Sequence, residues 1–196
     1  MAKSVFPGPN AQTAAYLSGL GSTLLYAGDL PGAASAFRDS YEQYRSMMGE
    51  SHVFTQTLAV DLARVQRDRG EYREAERLYR GALALLDSTK QSNTGLRLAA
   101  EVGLGTVLTS TGRGRDAIPL LEVAADSVFK LAGPDNWRTA EARLALGMAL
   151  VSVNDRARAQ PLLRQAVETL EPQARTQAKL LDLARRALDD AQRERR

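Results

Sequence analysis

The sequence predicts an all-α chain built from repeated helix pairs, and three observations predict it. Residues of one type recur every 42 positions, and a glycine or asparagine holds a fixed place in each period. No segment shows the apolar/polar alternation that a half-buried strand needs. Alanine recurs at Ala33, Ala75, Ala117 and Ala159, and leucine at Leu20, Leu62, Leu104, Leu146 and Leu188. A small residue follows each of the first four leucines: Gly21, Ala63, Gly105 and Gly147. Gly28, Gly70, Gly112 and Asn154 form another series, and the large apolar Phe37, Tyr79, Leu121 and Leu163 form the last. All these series keep one register, which the chance placement of common residues does not produce.

The elements follow in chain order. A first helix is predicted over 11–27, where Leu17, Leu20 and Leu24 share a face at three-to-four spacing. Gly28 closes it, because the chain must turn there through φ > 0. A second helix follows over 31–48. The same reasoning gives pairs over 53–69 and 72–88, 94–111 and 115–132, and 136–153 and 156–171, with Gly70, Gly112 and Asn154 closing the first member of each. Asp29, Glu71, Asp116 and Asp155 fall in or beside the following turn, where a carboxylate suits the positive end of the next helix. The small residue beside each recurrent leucine lets a second backbone approach, and the recurrent alanine offers the matching flat surface. Pro119 and Pro161, one period apart, are expected in the first turn of their helices, where a missing N–H costs no intrahelical bond. A last helix over 173–194 carries Leu180, Leu181, Ala184, Leu188 and Ala191 as one stripe. Arg185, Arg186, Asp189, Asp190, Arg193, Glu194, Arg195 and Arg196 cover the rest of it, as the solvated cap that a stack of repeats requires.

Composition narrows the chemistry. With 196 residues, 44% hydrophobic and 25% charged, the chain has the balance of one globular domain over 1–196. It has no cysteine, which excludes disulfides, thiolate metal sites and cysteine nucleophiles. Its single histidine, His52, excludes a zinc site of several imidazoles, and its place in a linker predicts a turn or helix-cap contact. The net charge of +3 is spread with signs interleaved, so no basic patch is expected. Arg193-Glu-Arg-Arg196 is diluted by Asp182, Asp189 and Asp190 and has no interleaved aromatic residue, so nucleic-acid binding is not expected. Gly112-Arg-Gly114 and Gly19-Leu-Gly21 lack the preceding strand and the following Gly-Lys-Ser/Thr of a phosphate loop. The acids Glu71, Glu74, Glu76, Asp189 and Asp190 are expected on solvated helix faces, and Trp137 over the seam between the third and fourth units. The uncharged stretch from Ser4 to Gly28 is broken by Pro, Gly, Ser and Thr, and the N-terminus has no secretory pattern. The expectation is a cytoplasmic protein with no membrane contact, no cofactor, no metal and no catalytic residue.

Gly49-Glu-Ser-His52, Leu58-Ala-Val-Asp-Leu-Ala63 and Gly70-Glu-Tyr-Arg-Glu-Ala-Glu-Arg-Leu-Tyr79 together resemble the tetratricopeptide repeat. The likeness is to its longer variety, found in kinesin light chains and many bacterial signalling proteins. Gly133-Pro-Asp-Asn136 stands in the same linker position as Gly49 and its neighbours, while Ser40, Gln66 and Asn154 depart from the pattern. The resemblance implies an α-solenoid of four antiparallel helix pairs in a right-handed superhelix. Its repeats would span 14–55, 56–97, 98–139 and 140–181, with a capping helix over 173–194. It also implies a non-catalytic scaffold that binds a protein or peptide, serving as the interaction module of a signalling or regulatory protein.

In such arrays the first helix of each pair lines the concave side. Counting from the recurrent leucine puts Ala15, Ser18, Ser22 and Leu25 on that face, with Tyr26 at its edge. Thr57, Val60, Arg64 and Arg67 follow, then Ala99, Val102, Thr106 and Thr109, then Glu141, Leu144, Met148 and Val151. The candidate ligand contacts are Ser22, Leu25, Tyr26, Arg64, Arg67, Thr106, Thr109 and Met148. Arg64 and Arg67 suit a peptide bearing an acidic residue, or else they pair with Asp61 and Asp68 of the chain itself. The family's carboxylate clamp, which takes chaperone tails with Lys, Asn and Arg, finds Ser18, Ser22, Asp61, Ala99 and Gly103 at the matching positions, so that ligand is not implied. A second reading is structural. The stretch from Ala11 to Ala27 carries no charge, as suits a helix packed on two sides, and Gly8-Pro9-Asn10 echoes the linker at Gly133. That helix is expected to dock on further repeats or on another copy, making a homo-oligomer.

Overall fold

A computed structural model describes residues 9–89 and 94–193, and among them the regular structure is helical, with no strand. Gly8 of the linker echo and the terminal Glu194, Arg195 and Arg196 lie outside the described residues. The helices are α1 (Ala11–Ala27), α2 (Leu30–Met48), α3 (Val53–Asp68), α4 (Tyr72–Ser88), α5 (Thr94–Ser110), α6 (Gly114–Ala132), α7 (Trp137–Ser152), α8 (Arg156–Leu170) and α9 (Ala174–Gln192). A short 3-10 turn, Glu171–Gln173, leads into α9.

The 42-residue rhythm is written in the backbone hydrogen bonds. At the end of α1, α3, α5 and α7 the same six-to-one bond closes the helix: Asp29 N–H donates to Leu24 (2.9 Å), Glu71 to Gln66 (2.8 Å), Arg113 to Leu108 (2.8 Å) and Asp155 to Leu150 (2.9 Å). Each closure turns through positive φ, +86° at Gly28, +80° at Gly70, +78° at Gly112 and +66° at Asn154. Asp29 then caps the next helix by accepting from Gly32 N–H at 2.9 Å, and Asp155 does so for Arg158 N–H at 3.3 Å. Glu71 holds the equivalent place without a side-chain cap bond.

The prolines stand one turn deeper than expected. α6 begins at Gly114 and α8 at Arg156, so Pro119 and Pro161 are each the sixth helical residue, past the orphan first turn. Their rings remove the bonds that the carbonyls of Arg115 and Ala157 would otherwise accept. Pro119, Pro161, Arg115 and Ala157 are all exposed, so each lost bond falls on the solvent side of its helix.

The chain divides into two compact units, Met1–Gly103 and Leu104–Arg196. In the first, α1 packs on α2, α2 on α3 and α3 on α4. Phe37 is 1% exposed and seats against Gly21, where an added Cβ would come within 2.8 Å of its ring. The departures from the repeat pattern are satisfied in place. Ser40 is buried with its hydroxyl donating to the Ala14 carbonyl at 2.7 Å, and buried Gln66 accepts from Arg69 at 3.0 Å.

In the second unit α6 packs on α7, α7 on α8 and α8 on α9. Leu121 seats against Gly105 and Leu163 against Gly147, at 2.5 and 2.6 Å from the Cβ that each glycine lacks. Leu181, Ala184, Ala187 and Ala191 bury one side of α9, while Lys179, Asp182, Arg186 and Asp189 face water. The last carbonyls of α9 are taken by α8: Arg156 donates to Asp190 (3.0 Å) and to Arg193, and Gln160 donates to Ala191 (3.0 Å). Gln173 ties the linker through the Asp135 carbonyl at 2.9 Å. Trp137 opens α7 half-buried, with the Arg138 guanidinium 4.5 Å above its ring.

Candidate functional site

Each first helix presents an accessible strip, and its depth repeats with the sequence. Val60, Val102 and Leu144, counted by the sequence among the lining residues, are buried at 6%, 6% and 2% exposure. They belong to the core, because β-branched and leucine side chains at that register fill the space beneath the strip. One turn later the register surfaces: Arg64 is exposed, and Thr106 and Met148 are half-buried.

In the first unit α1 offers exposed Ser22, half-buried Leu25 and Tyr26, which is 80% exposed. The Ser22 hydroxyl folds back to donate to the Ser18 carbonyl at 3.1 Å. From α3 come half-buried Thr57, exposed Arg64 and half-buried Arg67. The two arginines differ. Arg67 lies against its own neighbour, with N–H donors 2.8 and 2.9 Å from the Asp68 carboxylate. Arg64 makes no ion pair within 4.0 Å among the described residues. Its charge acts on Asp61, one turn earlier on α3. Burial pushes the Asp61 carboxyl above its ordinary range, and Arg64 pulls it part of the way back. Glu101 on α5 is raised by burial in the same way, offset by Arg97 and reinforced by Asp87. Arg97 itself bonds Asp87 at 2.6 Å and stands 3.9 Å from Glu101.

In the second unit the strip is smaller and less polar. Thr106 and Thr109 of α5 are half-buried, and the Thr109 hydroxyl donates to the Gly105 carbonyl at 2.9 Å. Glu141, Met148 and Val151 of α7 are half-buried too. The candidate residues thus fall in two sets: Ser22, Leu25, Tyr26, Arg64 and Arg67 in one unit, and Thr106, Thr109 and Met148 in the other.

His52 is the N-cap of α3, its Nδ1 accepting from the Phe54 N–H at 3.3 Å, with the two rings 5.4 Å apart. Gly114 gives close packing: a Cβ there would fall on the Ser152 hydroxyl. Glu74 and Glu76 bond Arg77 and Arg80 at 2.7 and 2.9 Å on the outside of α4. Among the described residues no group of three or more His, Asp or Glu is placed to hold a metal ion. No helix there is long and apolar enough to cross a membrane. Sequence reasoning expected the uncharged first helix to dock but did not single out the residues that its accessible face presents, Tyr16 at 63% and Leu20 at 37% exposure.

Comparison with known proteins fits this geometry. Residues 12–88 match the family model described as tetratricopeptide repeat. No curated protein matches the sequence. Among solved structures, the nearly identical TPR-like repeats of a kinesin light chain protein from Podosopora anserina superpose with a TM-score of 0.64 at 21% identity, covering 89% of this chain and 81% of that one. BtubC (BKLC) from P. vanneervenii gives a TM-score of 0.66 at 17% identity, over 92% and 79% of the two chains. YrrB, described as a TPR protein with an unusual peptide-binding site, gives 0.52 at 21% identity, over 93% and 86%. At these identities the likeness is one of fold.

Proposed function

From the premise that this chain is a tetratricopeptide-repeat protein, in family over residues 12–88 and in fold beyond them, we propose that it is a non-catalytic scaffold that binds a protein or peptide segment. The ligand lies along the accessible strip of the first unit. The observation that carries this reading is Arg64, an exposed guanidinium with no ion pair among the described residues, in a unit whose first helix also offers the accessible aromatic Tyr26 and half-buried Leu25. A cation held in this way suits an incoming carboxylate, which Arg engages through two parallel N–H bonds. The accessible apolar surface of Tyr26 and Leu25 suits apolar side chains of the same segment. Arg67, already occupied by Asp68, positions and screens rather than binds. Thr106, Thr109 and Met148 form a strip of the second unit, which by itself suits apolar and small side chains. The peptide-binding description of YrrB supports the class of activity. The wider role, an interaction module of a cytoplasmic signalling or regulatory system, follows the analogy of the family.

The test is a peptide panel in which apolar sequences carry one Glu or its amide Gln, read by fluorescence anisotropy. The acidic member is expected to bind about 10–150-fold more tightly, the range for a charge-assisted hydrogen bond of ~1.5–3 kcal/mol. Arg64→Gln should erase that difference and leave the fold intact. Equal binding of acidic and amide peptides to the native chain would remove Arg64 from the site.

A further inference from the structure

One helix carries a stacking face with nothing stacked on it among the described residues. On α5, Gly103 lies against Tyr79 of α4, which identifies the side of a first helix turned toward the preceding pair. On α3 that side holds Leu58, Leu62 and Val65, exposed by 3%, 4% and 0%. On α7 it holds Ala142, Leu146 and Ala149, exposed by 0%, 6% and 0%. One period before Leu58, Leu62 and Val65 stand Tyr16, Leu20 and Thr23 of α1. Tyr16 is 63% exposed, Leu20 37%, and Thr23 is exposed as well. This face is built in the register of the covered ones, and no described residue covers it.

Its chemistry is not that of a solvated end. From Ala11 to Ala27 there is no charged residue, whereas α9 turns Lys179, Asp182, Arg186 and Asp189 to water. We propose that α1 is a self-association surface, with two copies of the chain pairing these faces about a two-fold axis. Charge selects the occupant. A head-to-tail contact would press the charges of α9 onto a face with no counter-charge, and desolvating them there costs more than the contact returns. A strongly charged partner fails for the same reason. A second α1 sets apolar on apolar, and it is self-complementary in shape. Gly19 lies on the same face with nothing within 4 Å of the Cβ it lacks, which leaves a flat place for the Tyr16 ring of the second copy. Helix length sets the strength. A helix of 17 residues is about 25 Å long. Such a face falls below the ~800 Å² per partner of a standard interface, so the dimer is a weak, exchanging one.

Sedimentation velocity of the full chain at rising concentration tests this. The native protein is expected to move from 21.3 kDa toward twice that mass. Leu20→Glu and Tyr16→Lys are expected to remain monomeric at the highest concentration. Their helical circular dichroism and melting should hold, because both residues are already exposed. Arg64→Gln is expected to dimerise as the native chain does, which separates this surface from the peptide strip. The chain has no cysteine, so Thr23→Cys introduces a single reporter. It should crosslink rapidly under oxidising conditions, well ahead of Asp182→Cys on α9. A native chain that stays monomeric throughout overturns the proposal, as does a Leu20→Glu variant that still dimerises. Faster crosslinking through α9 would assign the contact to that helix and overturn it equally.

Discussion

Tyr79 fills the place that Phe37, Leu121 and Leu163 fill in the other periods, but its ring reaches further, as far as Gly103 of α5. A Cβ at Gly103 would fall on that ring, which is 1% exposed and has no room to withdraw. Alanine gains about 1 kcal/mol over glycine in a helix interior, while overpacking a closed core costs roughly 1–3 kcal/mol. Gly103→Ala is therefore expected to destabilise the chain in urea denaturation. In a Tyr79→Leu background, which has no atoms at the clash point, the same change should become neutral or stabilising. A destabilisation of equal size in both backgrounds would show that Tyr79 is not the obstacle. Asp61 offers a second case. Its folded carboxyl is raised above the ordinary 3.8 by burial, so the protonated form is the one that folding favours. The stability it contributes is full below 3.8 and is lost as pH rises through the higher folded value. Asp61→Asn, which mimics the protonated group, should stabilise the chain at neutral pH and lose that advantage in acid. Arg64→Gln should widen the gap by removing the charge that lowers Asp61. A stability difference that does not vary with pH would refute the assignment.

At the scale of the element, helices were legible wherever a local signal governs the backbone. Gly28, Gly70, Gly112 and Asn154 announce the turns because positive φ is a property of one residue, and all four take it. Asn10 and Asn136 open α1 and α7 by accepting from N–H groups of the first turn at 2.8 and 2.9 Å. The start of α6, expected at 115, lies one residue earlier at Gly114 and α8 starts at 156 as expected, so the prolines stand past the first turn by their distance from these starts and not through a displaced boundary. The strip was legible in register but not in depth. Repeat spacing puts Val60 and Arg64 on one side of α3, yet only packing by neighbouring helices decides that Val60 sinks to 6% exposure while Arg64 stays in water. Leu20 shows the reverse. By sequence it is the twin of Leu62, Leu104 and Leu146, which are 4%, 5% and 6% exposed, but it lies 37% open because burial belongs to the neighbour and not to the residue. Which arginine is occupied was equally hidden, since Asp61 and Asp68 each sit close in sequence to both Arg64 and Arg67.

For the whole molecule, repetition means that stability is close to a sum of units and their nearest neighbours, so it need not be uniform along the chain. α7 buries nine residues, among them Leu144, Leu146 and Leu150, each worth ~1.5–3 kcal/mol of transfer energy. α1 buries only Thr13, Ala14 and Gly21, with no large apolar side chain among them. Local opening of α1 therefore costs far less than opening of α7, although the two helices are nearly equal in length, 17 and 16 residues. Native-state hydrogen exchange at low protein concentration should find the α1 amides exchanging on the order of 10²-fold faster than those of α7, or faster still. Equal protection would mean that α1 is held by more than its contacts with α2. Repeating the measurement at high concentration separates two causes of a labile helix. If α1 exchanges quickly because its outer face is uncovered, pairing with a second copy should slow its amides and leave those of α7 unchanged. If α1 is labile through its own weak packing on α2, concentration will leave both helices where they were.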